Sequence, residues 1–173
     1  MERDQYLVEQ INEAVSGAIE EDLEFRGERT LVIAQDKIKQ VCQLLKSDKS
    51  LDFNLLSDIS ADDLLPDFPR FAVNYHLYSI PYKHRIRLRV FVEDPDEGPP
   101  TMGDIWSIAT WLEMEVWDLM GVRFAGNNSL RRLFLPEDWQ GHPLRKDYPL
   151  GYEEVQFSFN WEEIRARKPA PKE

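Results

Sequence analysis

The fourteen residues LPEDWQGHPLRKDY, positions 135–148, bring Glu137, Asp138, His142, Arg145, Lys146 and Asp147 into one short stretch. Acid, base and cation side by side are the raw material of proton transfer. A hydrolytic centre with His142 oriented by Asp138 or Asp147 is therefore the first chemistry to weigh. It lacks a nucleophile: no GxSxG motif is present, and the single cysteine, Cys42, sits among apolar residues in IKQVCQLLK. The three histidines, His76, His84 and His142, include no HxH or HxxxH pair of the kind that grips a metal. Eight glycines are too scattered to build a phosphate-cradling loop. The expectation is a chain with no catalytic, cofactor-binding or metal-ligating residues of its own.

Upstream, WLEMEVWDLMG holds Glu113, Glu115 and Asp118. On a helix Glu113 and Glu115 point about 200° apart, so they cannot share a proton as an acid–base pair. The plain reading of the three is a solvated acidic face. The specific alternative is that one carboxylate reaches the Arg-rich segment that follows and locks it against the helix, as a directional Arg–carboxylate pair does. Trp106, Trp111 and Trp117 read as core filling. Trp139 lies in an irregular segment beside Arg and Pro, which favours a docking role.

The chain carries a formal net charge of −11 over 173 residues, which argues against a general nucleic-acid binder. Residues 119–149 are the exception. They hold five cations against three acids, so +2, which leaves −13 for the remainder. A lone cysteine builds no intrachain disulfide and no cysteine-rich cluster site, and is compatible with a reducing, cytosolic setting. The acidic start MERDQYLVEQINEA resembles neither a signal nor a transit peptide. No run approaches the ~18 apolar residues of a membrane span.

The elements that must position these groups follow from periodicity. Apolar residues three and four apart predict helices over 5–19 and 35–47. Arg26-Gly27-Glu28 predicts a tight link between two short strands, and FNLLSDISADDLLPD a strand running into an acidic loop. RFAVNYHLYSI and HRIRLRVFVE, residues 70–80 and 84–93, predict an antiparallel hairpin whose second strand buries Ile86, Leu88, Val90 and Val92 and presents Arg85, Arg87 and Arg89. Residues 104–121 predict a long helix with Ile105, Ile108, Ala109, Leu112, Val116, Leu119 and Met120 on its buried face. Asp104 is its expected N-cap and Gly121 its stop. RRLFL is expected as a short strand, regular structure is expected to fade from Pro136, and the tail IRARKPAPKE is expected to fray or lie on a partner. The fold class is α+β: a small mixed or antiparallel sheet packed with helices over residues 1–125, then a mostly irregular C-terminal arm over 126–173.

EMEVWDLMG, followed by LRRLFLPEDWQGHPLRKDYPLGYEEVQF, closely resembles the signature of the C subunit of NADH:quinone oxidoreductase, the 30 kDa subunit family of respiratory complex I. The matching residues are Glu113, Glu115, Asp118, Gly121, Arg131, Arg132, Pro136, Glu137, Asp138, Trp139, Gly141, His142, Pro143, Leu144, Arg145, Lys146, Asp147 and Tyr148. Two positions depart: Met114 stands where the family usually has Arg, and Asn127 where it usually has His. The resemblance implies a structural subunit that binds no cofactor, while FMN, iron–sulfur clusters and quinone reside elsewhere in the assembled complex. It also implies an arm that spreads over the quinone-site (49 kDa) subunit, near cluster-bearing subunits, peripheral to the membrane on its cytoplasmic side. An equivalent scaffold in a ferredoxin-linked or hydrogenase relative is the alternative.

Overall fold

The structure, a computed structural model, describes residues 2–149 and 161–167. Helix α1 (Glu2–Ala14) leads into the strands β1 (Ile19–Phe25) and β2 (Glu28–Ile33), then α2 (Ile38–Ser47), β3 (Leu55–Asp63), β4 (Phe71–Ser79) and β5 (His84–Val92). Helix α3 (Ala109–Met120) follows, and α4 (Trp161–Arg167) lies in the C-terminal segment. The five strands form one mixed sheet in the order β1-β2-β5-β4-β3. Only β2 and β5 run parallel, with Leu31 opposite Leu88; the other pairings are antiparallel. The fold is α+β, as expected.

Alternation along β5 buries Ile86, Leu88, Val90 and Val92 and turns Arg85, Arg87 and Arg89 to the other face. The buried set joins Leu7 and Ile11 of α1, Val41 and Leu45 of α2 and Val116 and Met120 of α3 in one apolar cluster. Burial of this kind contributes about 25 cal/mol per Å² of apolar surface removed from water. Cys42 is within the cluster, fully buried, and desolvation pushes its thiol well above the ordinary range.

Several expectations are corrected. The first helix stops at Ala14, because Gly17 takes φ 68° and turns the chain so that Ile19 enters β1. The long helix starts at Ala109 rather than near Asp104. Residues 102–106 form their own turn, with Met102 O accepting from the N–H groups of Ile105 and Trp106, and Asp104 pairs with Lys39 at 2.9 Å. That turn buries Trp106, and the expected face keeps Ile105, Ala109, Val116 and Met120 buried, but Ile108 and Trp111 face solvent at 47% and 51% exposure, while Glu113, Met114 and Asp118 are buried instead. RRLFL makes no strand, for a reason given below. Ile164 to Arg167, the start of the tail expected to fray or lie on a partner, belong to α4; residues 150–160 and 168–173 lie outside the described residues.

Candidate functional site

Helix α3 ends on Gly121, whose φ of 79° is the left-handed stop, with its N–H bonded to Trp117 O. A helix end leaves carbonyls without partners, and the arm supplies them one by one. Asp118 O accepts from Arg132 Nη1 at 3.0 Å and from His142 Nδ1 at 2.9 Å. Leu119 O accepts from the N–H of Leu144 at 3.1 Å, and Met120 O from Arg145 Nε at 2.7 Å. Two guanidinium groups therefore sit at the negative end of the helix dipole, where cations are stabilised.

The side chain of Asp118 is fully buried within the same knot. Its Oδ2 accepts from three successive backbone N–H groups, Leu133, Phe134 and Leu135, at 3.0, 2.8 and 3.1 Å. Its Oδ1 takes Arg132 Nη1 at 3.0 Å. These N–H groups converge on one carboxylate instead of a neighbouring strand, which is why RRLFL is not a strand. Burial alone would raise the Asp118 pKa, but the N–H groups of Phe134, Leu133 and Leu135 and the Arg132 guanidinium outweigh it and hold the carboxyl below its usual value. Arg132 Nη2 continues to Trp139 O at 2.8 Å and Gly141 O at 3.0 Å, and its guanidinium lies 5.3 Å from the Trp117 ring centre.

A second tie joins the arm to the sheet. Asp63, at the end of β3, accepts from Arg70 Nε and Nη2 at 3.0 and 2.8 Å and from the Lys146 N–H at 2.8 Å. Arg70 also holds Asp147 through two bonds of 2.9 and 2.7 Å. The Arg70 side chain, followed by these backbone donors, drives the Asp63 carboxyl far below the ordinary range. Lys146 Nζ reaches Leu65 O at 2.8 Å, and Trp139 stacks on Tyr148 with ring centres 6.4 Å apart.

A third knot is centred on Glu113, which is fully buried. It accepts from Thr101 Oγ1 at 2.6 Å, the Met102 N–H at 2.7 Å and Asn127 Nδ2 at 2.9 Å. Desolvation raises its pKa despite those three donors.

The solvated acidic face is thus overturned for Glu113 and Asp118; the alternative, a carboxylate locking the Arg-rich segment, describes Asp118 with Arg132. Glu115 is half-buried and stays outside both knots. Met114 is buried at 3% exposure, and the helix is tied to the arm through Asp118. Asn127 supplies a neutral amide donor to Glu113. Arg131, Pro136, Glu137 and Asp138 are exposed, while Trp139, His142, Pro143 and Arg145 are half-buried.

The hydrolytic pairing is not assembled. His142 gives Nδ1–H to a backbone carbonyl and packs edge-on against Trp117, and burial lowers its pKa. Asp147 is held by Arg70, and Asp138 is exposed. Among the described residues no three His, Cys, Asp or Glu side chains group as metal ligands. Sequence reasoning missed Asp63, Arg70, Thr101 and Trp117. The available signal was the lone Arg70 closing the acidic ADDLLPDFP stretch, a cation with Asp63 and Asp147 as candidate partners.

A family model for the respiratory-chain NADH dehydrogenase 30 Kd subunit matches residues 31–154. The C subunit of NADH-quinone oxidoreductase from Geobacter sulfurreducens is 48% identical over 141 residues, covering 81% of this chain and 86% of that protein. The corresponding protein of Roseiflexus sp. is 41% identical over 167 residues, 96% of either chain. Among solved structures, the trypsin-resistant fragment of Nqo5 superposes with a TM-score of 0.60 at 33% identity, covering 74% of this chain and 99% of the fragment. With the family match spanning most of the chain and relatives this similar over nearly its whole length, the chain belongs to the family of the 30 kDa subunit of respiratory-chain NADH dehydrogenase.

Proposed function

We propose that this chain is a non-catalytic structural subunit of the hydrophilic arm of a complex I-type NADH:quinone oxidoreductase. It supports electron transfer from NADH to quinone, coupled to ion translocation, by holding other subunits in place. The observation that carries this reading is the use of residues 113–148. Their buried carboxylates and half-buried cations are saturated by one another and by helix-end carbonyls, so they order an arm and leave no poised acid–base pair. FMN, iron–sulfur clusters and quinone are assigned to other chains of the complex. The partners are the quinone-site (49 kDa) subunit, gripped by residues 126–173 as an extension of the 1–125 domain, and the cluster-bearing subunits beside it. Among the described residues no helix is long and apolar enough to cross a membrane. Attachment is accordingly peripheral, and we place it on the cytoplasmic side.

The test is affinity recovery of the tagged full chain from detergent-solubilised membranes, with the co-purifying subunits identified by mass. Recovery of quinone-site and cluster-bearing subunits is expected. A chain that emerges as a free monomer from cells making the complex contradicts the reading. A complex that oxidises ferredoxin or hydrogen but not NADH would instead favour the related scaffold.

A further inference from the structure

Phe68 is 74% exposed, more than any other large apolar side chain among the described residues. It stands near the tip of the β3–β4 loop, residues 64–70, which is closed on itself. Leu64 N–H bonds Arg70 O at 2.7 Å, Asp67 N–H bonds Leu64 O at 2.9 Å, and Leu65 N–H bonds Asp63 Oδ1 at 3.1 Å. Asp63 and Arg70 clamp the two ends of the loop together. The phenyl group is thus displayed by a braced loop, not left on a slack one.

The same clamp fixes the arm. Asp63 receives the Lys146 N–H, Arg70 holds Asp147, and Lys146 Nζ bonds Leu65 O inside the loop. Loop and arm are therefore one surface, with hydrogen bonds of 2.7–2.9 Å across the seam. The arm itself exposes Phe134 and Leu144, at 64% and 59%. An aromatic residue on a backbone already braced before binding pays less conformational entropy on docking, which is the physics of an interface anchor.

We propose that Phe68 is a docking anchor for the same partner that takes the arm, seated in an apolar recess of that partner beside a basic group facing the exposed Asp67. This rests on the arm-docking reading above and extends the contact surface from the arm onto the β3–β4 loop. Continuity selects the occupant: a chain lying along residues 144–147 meets the loop that those residues are bonded to.

The experiment compares tagged full-length wild type, Phe68→Ser and Phe25→Ser in cells making the whole complex. Phe25 is similarly exposed, at 69%, but sits on β1 at the far edge of the sheet. Expected is a loss of about tenfold or more in recovered quinone-site subunit for Phe68→Ser. Phe25→Ser should recover as wild type does, and all three proteins, purified alone, should melt alike. Equal recovery with Phe68→Ser, while wild type assembles, overturns the anchor and leaves the subunit reading intact. Failure of wild type to assemble overturns both. A purified protein whose self-association disappears in Phe68→Ser, with assembly unchanged, assigns the ring to a second copy of the chain and also overturns the proposal.

Discussion

Arg132 and Asp118 meet at 3.0 Å, with the carboxylate sealed from solvent and the guanidinium side chain only 14% exposed. The pair joins the last turn of a helix to the segment that leaves it, and three backbone N–H groups complete the carboxylate's shell. A buried ion pair adds little by itself, but removing one member strands the other.

Asp118→Ala should therefore destabilise the isolated protein by about 3–5 kcal/mol. Leu133, Phe134 and Leu135 would lose their shared acceptor, and Arg132 its counter-charge. Arg132→Lys should recover only part of the loss from Arg132→Ala, because one ammonium cannot span Asp118, Trp139 O and Gly141 O together. Urea midpoints at constant slope read both effects; a midpoint unmoved by Asp118→Ala contradicts the assignment.

The acid limb of stability should come from Asp63 and Asp118. Both have folded pKa values below the ordinary 3.8. Their contribution is then fully present above that value and is lost as pH falls from it through the lower folded values. Glu113, raised by burial, works in the opposite sense: its folded form holds a proton more readily, so its term weakens stability as pH rises past the unfolded value of 4.5. Asp118→Asn should flatten the acid limb of a stability-against-pH curve. An unchanged limb would show that other carboxylates set it.

Gly121→Ala should cost more than the roughly 1–2 kcal/mol of placing a side chain in the left-handed region. A Cβ at Gly121 would collide with the Arg145 guanidinium and the His142 ring, so the arm must shift. Faster tryptic cleavage at Arg145 and Lys146, together with a lowered melting temperature, is the expected signature.

His142→Ala should lower stability by about 1 kcal/mol, the worth of one hydrogen bond and its packing. It should leave the turnover of each assembled complex untouched. Loss of turnover at normal assembly would restore a chemical role to the imidazole.

Legibility in the sequence followed the range of the forces involved. The β4–β5 hairpin was readable because its alternation and turn lie within a few residues, and α2 because its apolar spacing is regular. The start of α3 was misread because Asp104 has the right chemistry for a cap, yet Lys39 claims it from another helix. The sequence allows one helix carboxylate to pair with the Arg-rich segment, as Asp118 does, but not the burial of Glu113, since a carboxylate among apolar residues reads as exposed until its donors are known. Those donors are mostly backbone N–H groups, which every residue type but proline carries and no sequence pattern advertises. The irregular course of LPEDWQGHPLRKDY was legible in its Pro and Gly content. Its packing on the C-terminus of α3 was legible only as the alternative in which a helix carboxylate locks the Arg-rich segment.

The seam at Asp63, Arg70 and Asp147 bypasses the chain's own path. By sequence the arm hangs from residue 126 onward; by contact it is riveted 83 residues back, where the Lys146 N–H meets the edge strand β3. A pull exerted past Tyr148 is not taken up first by the loop that leads into the arm. It runs through Lys146 and Asp147 into β3, and through Arg132 and Arg145 into the end of α3, loading sheet and helix in parallel. Mechanically the segment is a bracket with two bolts, and any displacement of whatever it holds is delivered directly to the rigid half of the molecule.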